Sequence, residues 1–239
     1  MSTTAEPHTI PLEMHHIIGV QAYKTSTCIL MDSIKGAPTI ALDIDGVLAN
    51  LMNSVINHIN KVYYKHLDMP LKVGDITEWN VKILQNYKVG DFIRILQQTP
   101  GFIESLEPYP HAARVVTGLL QYFNVVLITD RPHNTHYHTQ KWLFNNDIFY
   151  HSLYTTEGQY KKYEVLLRCQ KCVLVDDKTQ NLHDFLENTD GIAFMPLMPW
   201  NVKLLDEFHS YSLQGRFFYF NHLPEMFRKI LDLRKLGRI

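Results

Sequence analysis

The stretch Thr39-Ile-Ala-Leu-Asp-Ile-Asp-Gly-Val-Leu48 constrains the chain more than any other. Its first half, Ile40 to Leu42, is a short apolar run of the kind found in a strand buried on both faces, and Gly46 marks an abrupt turn just beyond it. In parallel α/β sheets ligands collect outside the carboxyl ends of the strands. Carboxylates at Asp43 and Asp45 therefore point into a site rather than into solvent.

Two aspartates one residue apart repel each other when the chain turns both into one crevice, and a cation relieves that repulsion. Mg²⁺ suits the pair, because it takes a few carboxylate oxygens and fills its remaining positions with water or phosphate. An aspartate is also a competent nucleophile towards phosphorus. Acidic pairs at strand ends are often only solvated turns, so the pair gains its meaning from the strand ends further along the chain.

The chain has 239 residues, 46% hydrophobic and 20% charged, which is enough for one α/β core with an insertion. Lys+Arg number 23 against Asp+Glu 24, so the overall charge gives no footprint for long nucleic acid or an anionic membrane. No apolar stretch approaches the roughly 18 residues of a membrane span, and the N-terminal sequence lacks the layout of a signal peptide. The expected location is cytoplasmic. Three cysteines fit a reducing compartment. Cys169 and Cys172 form a CxxC without the second pair a zinc site would want, and they read as packing residues. Thirteen histidines, His136 and His138 among them, lack acidic or thiol partners at ligand spacing.

Along the chain, residues 1–37 form an extension of unassigned role, with short strands or one poorly patterned helix at 17–22 and 27–31. Leu51, Val55, Ile56, Ile59, Val62 and Tyr63 lie on one face of an amphipathic helix over about 50–66. A further helix at 89–98 and the Pro100-Gly101 turn make residues 51–106 a small, mostly helical insertion. Ala113, Val116 and Leu119-Leu120 predict a helix, and Asn124 to Ile128 a buried strand ending at Thr129. Helices at 135–145 and 163–168 come next, with strands at 172–175 and 191–195. Strands alternating with helices, without a hairpin signature, predict a parallel three-layer α/β/α sheet.

The strings Asp43-Ile-Asp45-Gly-Val, the strand ending in Thr129, the lysines Lys161 and Lys162, and Val-Asp176-Asp177 with Asn181 resemble the four ordered motifs of the haloacid dehalogenase superfamily. The segments DIDGVLAN, DITEW, PGFIESLEPYPHA, LITDRP, VLVDDKTQN and MPWN narrow the likeness to the 5′(3′)-deoxyribonucleotidases over about residues 38–235. The resemblance implies a Rossmann-like core at 38–50 and 107–239, a small helical cap at 51–106, and a Mg²⁺-dependent phosphatase of (deoxy)nucleoside monophosphates. It implies that Asp43 attacks phosphorus and that Asp45 exchanges protons with the leaving oxygen and with water, its main-chain carbonyl also binding metal. Asp177 becomes a metal ligand, and Asp176 a group that orients water or the phosphate-binding lysine.

Thr129 is expected on a phosphoryl oxygen, with one of Lys161 and Lys162 beside it. Asp130 and Arg131 differ from the small polar pair common in that family, and Arg131 is a candidate phosphate contact. Trp79, with Phe102 behind it, is a candidate surface for the base, unless it is simply cap core. Lys141 is a weaker candidate. Leu51 stands where an aromatic would help hold the base, and Asn50 where an aspartate is usual, so nucleotide specificity is less securely implied than phosphatase chemistry. The partner expected is a small nucleotide, with a homodimer admissible. A phosphatase of nucleic-acid ends or of another small phosphoester, and a non-catalytic binding module on the same fold, stand as alternatives.

Overall fold

The computed structural model describes residues 22–25, 28–31, 34–79, 81–84, 87–169 and 171–239. In chain order they form β1 (Ala22–Thr25), β2 (Cys28–Met31), β3 (Thr39–Leu42), α1 (Leu51–Tyr63), β4 (Lys82–Leu84), β5 (Tyr87–Lys88), α2 (Val89–Gln97), α3 (Ala112–Leu120), β6 (Asn124–Thr129), α4 (His136–Asn145), β7 (Ser152–Thr155), α5 (Lys162–Leu166), β8 (Cys172–Val175), α6 (Thr179–Asn188), β9 (Ile192–Pro196), α7 (His209–Leu213), β10 (Phe217–Phe220) and α8 (Leu223–Lys235).

Six strands form one sheet in the order β10-β9-β8-β3-β6-β7, and every neighbouring pair is parallel. The sequence explains its three layers. Each central strand carries an apolar run that divides its residues between two separate cores. Ile40, Leu42, Val125, Leu127, Val173, Val175, Ile192 and Phe194 belong to one, together with α1, α3 and α8. Ala41, Ile128, Leu174, Ala193 and Met195 belong to the other, together with Leu166 of α5 and Leu182, Phe185 and Leu186 of α6. Side chains alternate across a strand, so the two sets lie on opposite faces of the sheet.

The chain enters at β3, moves to β6 and β7 on one side, then returns to β8 on the other. That reversal leaves a crevice beyond the carboxyl ends of β3, β6 and β8, where an open α/β sheet binds its ligand. The sheet therefore places Asp43, Thr129 and Asp176 at neighbouring strand ends.

Three expectations change. The sheet gains β7 and β10, both at its edges and both partly exposed, with Tyr154 and Tyr219 facing outward. Ser152–Thr155 lacks the unbroken apolar run of a central strand, whereas Phe217–Phe220 is aromatic throughout but leaves Tyr219 about half exposed. The insertion between β3 and β6 is not helical alone, because β4 and β5 pair as an antiparallel ribbon. These strands are three and two residues long, and the intervening Gln85-Asn86 carries no glycine to mark a tight hairpin. Near the N-terminus, 28–31 forms a strand, one of the two forms expected of it; its partner is Ala22–Thr25, and most of 17–22 lies outside the described residues. Val62, assigned to the buried face of α1, is about half exposed. No helix among the described residues is long and apolar enough to cross a membrane.

Leu42 is fully buried in the strand that carries Asp43. Leu42→Ala should cost about 2–5 kcal/mol of stability in urea melts, the usual range for a buried leucine. A loss below about 1 kcal/mol would mean that the sheet centre repacks freely around the gap.

Candidate active site

Asp43 comes directly after the last residue of β3, and its N–H donates to the carbonyl of Val175 on β8 at 2.9 Å. The chain then turns sharply. The amides of Leu48 and Ala49 both donate to Ile44 O, at 2.8 and 2.7 Å, and Gly46 adopts φ +81°. A Cβ at Gly46 would lie 2.3 Å from Asp177 Oδ2, so glycine is required both for the turn and for the approach of the motif-four acid.

Lys162 is the electrostatic centre. It is 2% exposed, with Nζ 2.9 Å from Asp43 Oδ2 and 2.8 Å from Asp176 Oδ2. Burial disfavours its charge, but Asp176 and Asp43 outweigh that and hold its pKa above the ordinary lysine value. Asp176 accepts three hydrogen bonds. Its Oδ2 also accepts from Asn181 Nδ2 at 3.0 Å, and its Oδ1 accepts from Lys178 N at 2.9 Å. Asp177 Oδ2 accepts from Trp200 Nε1 at 3.0 Å, while Asn201 Nδ2 holds the Asp177 carbonyl at 2.9 Å. Neither Trp200 nor Asn201 was among the expected site residues, although both lie in the MPWN segment that contributed to the resemblance.

Carboxylate oxygens of Asp43, Asp176 and Asp177 lie within 4.8 Å of one another, and all three residues are buried. Burial, reinforced by Asp176, pushes the Asp177 carboxyl up to about 8. Burial also raises Asp43 well above the usual carboxylate range, with Lys162 opposing and Asp176 and Asp177 adding to the effect. Counted with every carboxylate ionised, Asp43, Asp45, Asp130, Asp176 and Asp177 exceed the cations Lys162, Arg131 and Lys178 by two charges, and the raised Asp43 and Asp177 carboxyls reflect that crowding. An all-oxygen donor set with that excess fits a hard divalent cation.

A cavity of about 330 Å³ opens over this cluster, within the usual range for small-molecule sites. Asp43, Asp45, Thr129, Asp130, Arg131, Asp177 and Lys178 line it from the core, and Leu51, Trp79, Ile93 and Gln97 from the insertion. Trp79 also packs on Trp200, with ring centroids 5.6 Å apart. Asp130 accepts a hydrogen bond from Thr156 Oγ1; burial would raise its carboxyl, but Lys162 and Thr156 together hold it below the usual range.

Several expected residues lie elsewhere. Lys161 is one residue from Lys162, yet its ammonium sits 2.8 Å from Asp184 on α6 and does not line the cavity. Phe102 packs beside the core, and Lys141 lies 3.9 Å from Glu104; neither reaches the cavity lining. Arg131 does line the cavity, and it is anchored there. Its Nε and Nη2 donate to Asp45 Oδ2 and Oδ1 at 2.8 and 2.6 Å, and Nη1 donates to Thr139 Oγ1 at 3.1 Å. Each guanidinium nitrogen thus makes one hydrogen bond, and Nη1 and Nη2 each keep a second N–H. Gln97, unanticipated, adds Nε2 to Asp45 Oδ2 at 3.0 Å. No local sequence signal pairs residues 52 positions apart.

Comparison with known proteins agrees with this geometry. Among solved structures, a haloacid dehalogenase-like hydrolase family protein of Streptococcus pneumoniae aligns over 82% of this chain and all of its own, at TM-score 0.58 and 14% identity. A haloacid dehalogenase-like protein of Agrobacterium tumefaciens aligns over 83% and 100%, at TM-score 0.56 and 11% identity. The HAD-hydrolase YfnB of Bacillus subtilis, in a form bound to magnesium, aligns over 81% and 98%, at TM-score 0.51 and 12% identity. These likenesses are of fold. Two Staphylococcus epidermidis proteins, provisionally named 5′(3′)-deoxyribonucleotidases, are 30% identical over 90 residues, 38% of this chain. The match spans about half the length of these relatives, 48%. The family model described as "5' nucleotidase, deoxy (Pyrimidine), cytosolic type C protein" matches residues 37–217, from the start of β3 to the start of β10, and the chain belongs to that family.

Proposed function

We propose that the chain is a phosphoric monoester hydrolase that releases phosphate from (deoxy)nucleoside monophosphates through a phospho-aspartate on Asp43. The observation that carries this reading is the convergence of Asp43, Thr129, Lys162 and Asp177 at neighbouring parallel strand ends, under a cavity closed on one side by the insertion. Family membership supports the reaction class, and the names of the partial relatives support the nucleotide.

In the first step an Asp43 carboxylate oxygen bonds to phosphorus while the bond to the nucleoside oxygen breaks. Asp45 gives its proton to that leaving oxygen. In the second step Asp45 takes a proton from water as the water attacks phosphorus, which frees Asp43 and yields inorganic phosphate. The Lys162 ammonium, fixed by Asp176, offsets anionic charge beside Asp43. Thr129, 1% exposed at the end of β6, offers a hydroxyl to a phosphoryl oxygen. Asp43, Asp177 and the main-chain carbonyl of Asp45 would hold Mg²⁺, which when bound neutralises the crowding between carboxylates and phosphate. Trp79, with Leu51 and Ile93, gives the cavity an apolar end suited to a base.

Asp43→Asn exchanges one oxygen for an amide of similar volume, so turnover should vanish while circular dichroism and melting stay native-like. Retention of a tenth of the wild-type rate would remove Asp43 from the nucleophile role.

Mg²⁺ at about a hundredfold its Kd should add about 2.7 kcal/mol of stability. For a chain of this size that corresponds to a rise in Tm of roughly 5–10 °C. Asp177→Asn should shrink the rise to about 2 °C or less; an undiminished rise would place the ion elsewhere.

Trp79→Ala should raise KM for nucleoside monophosphates about tenfold or more and leave p-nitrophenyl phosphate nearly unchanged, since a stacked base contributes about 1–3 kcal/mol. Equal losses on both substrates would make Trp79 cap core only.

A further inference from the structure

The carboxylate of Asp45 is gripped from two sides of the cleft. Arg131, immobilised beneath it by Thr139 and set over the Trp142 ring at 5.7 Å, makes the two-pronged contact from the core. Both Thr139 and Trp142 are fully buried on α4, so the guanidinium has no room to swing. The third donor comes from the other side. Gln97 is the last residue of α2 in the insertion, and its amide reaches Asp45 Oδ2, the same oxygen that accepts from Arg131 Nε.

We propose that Arg131 and Gln97 are positioning residues for Asp45, and that Gln97 makes the aim of the proton-transfer group depend on the cap being seated. This inference rests on the reading that Asp45 protonates the leaving oxygen. A fork from Arg131 fixes the plane of the carboxylate, because two parallel N–H···O bonds permit one in-plane orientation. The contact from Gln97 exists only while the end of α2 lies against the crevice. That helix is held by Val89, Phe92, Ile93 and Leu96, all buried, and Ile93 lines the same cavity. Any displacement of α2 from the crevice would therefore break the Gln97 bond, and its return would restore it. The catalytic group is then completed only over an enclosed substrate, which limits proton transfer in an open cleft.

The role is testable because misplacing a proton donor harms poor leaving groups more than good ones. The measurement is kcat/KM for a series of ring-substituted phenyl phosphates, similar in size and graded in leaving-group pKa, with Mg²⁺ present. In Gln97→Leu the dependence on leaving-group pKa should steepen. Phenyl phosphate should lose about tenfold or more, within the range that general acid catalysis supplies, and p-nitrophenyl phosphate less than about threefold. Arg131→Lys keeps the charge but loses the fork, and should steepen the series in the same direction. If Arg131→Lys fails to fold by circular dichroism, Gln97→Leu decides by itself.

A parallel loss across the series would make Gln97 a substrate contact or a packing residue and overturn the proposal, as would no loss at all. Failure of the underlying phosphatase reading looks different. In that case the wild-type protein releases phosphate from no member of the series, or Asp43→Asn keeps its activity, and this inference falls with it.

Discussion

A lysine ammonium buried between two buried aspartates is the constraint on which the rest of the site depends. Lys162 Nζ lies within 2.9 Å of both Asp43 and Asp176, and all three residues are under a tenth exposed. Taking an unpaired charge of this kind out of water costs several kcal/mol, so the arrangement survives only because α5, β3 and β8 deliver the three groups to one point. The parallel pairing of Leu42 with Val175 sets the two strand ends level, and Lys162 opens α5 just behind them. Asp176 accepts from Lys162, Asn181 and the Lys178 amide, which holds it against the lysine. Asp43 and Asp177 are left facing the cavity.

That division also gives the cluster a donor set that suits a divalent ion. Burial and mutual repulsion work against ionising both Asp43 and Asp177, and a nucleophilic carboxylate must be ionised. A second lysine would neutralise the site but would also occupy the space a phosphate needs. A compact divalent cation balances the two excess charges and retains open positions. Gly46 belongs to the same logic, since any side chain there would collide with the Asp177 carboxylate before an ion could be shared.

The sequence shows what lies along a strand and hides what lies across the fold. Runs such as Ile40-Ala-Leu42, Val125-Val-Leu-Ile128 and Val173-Leu-Val175 are buried on both faces and read as central parallel strands without ambiguity. Asp43, Asp45, Thr129, Asp176 and Asp177 are legible for the same reason, because each stands at or just past the end of such a run. Edge strands are partly wet, and Ser152-Leu-Tyr-Thr155 accordingly carries no strand pattern strong enough to read. Lys161 and Lys162 are adjacent and chemically alike. Only the start of α5 separates them, turning Lys162 into the sheet and Lys161 towards Asp184. The commitment of Arg131 to Asp45, 86 residues away, depends on α4 supplying Thr139 and Trp142 behind the guanidinium. No spacing rule reaches that far.

The same network changes how the departures from the family pattern are understood. Asp130-Arg131 in place of a small polar pair would be costly if both charges faced the phosphate, since one attracts it and the other repels it. The fold separates them. Arg131 turns down to Asp45, while Asp130 is held by Thr156 and lies 3.7 Å from Lys178. Arg131 thus adds a fixed two-pronged contact at Asp45, and Asp130 a separate one at Thr156. Leu51 in place of an aromatic acts in the opposite sense at the other end of the cavity. It leaves the apolar surface facing a base to Trp79 and Ile93, both borne by the insertion. The apolar part of the cavity lining then comes mainly from the insertion, and the acidic part from the sheet. Asp45 is where the two halves meet, because one of its oxygens accepts from both Arg131 and Gln97.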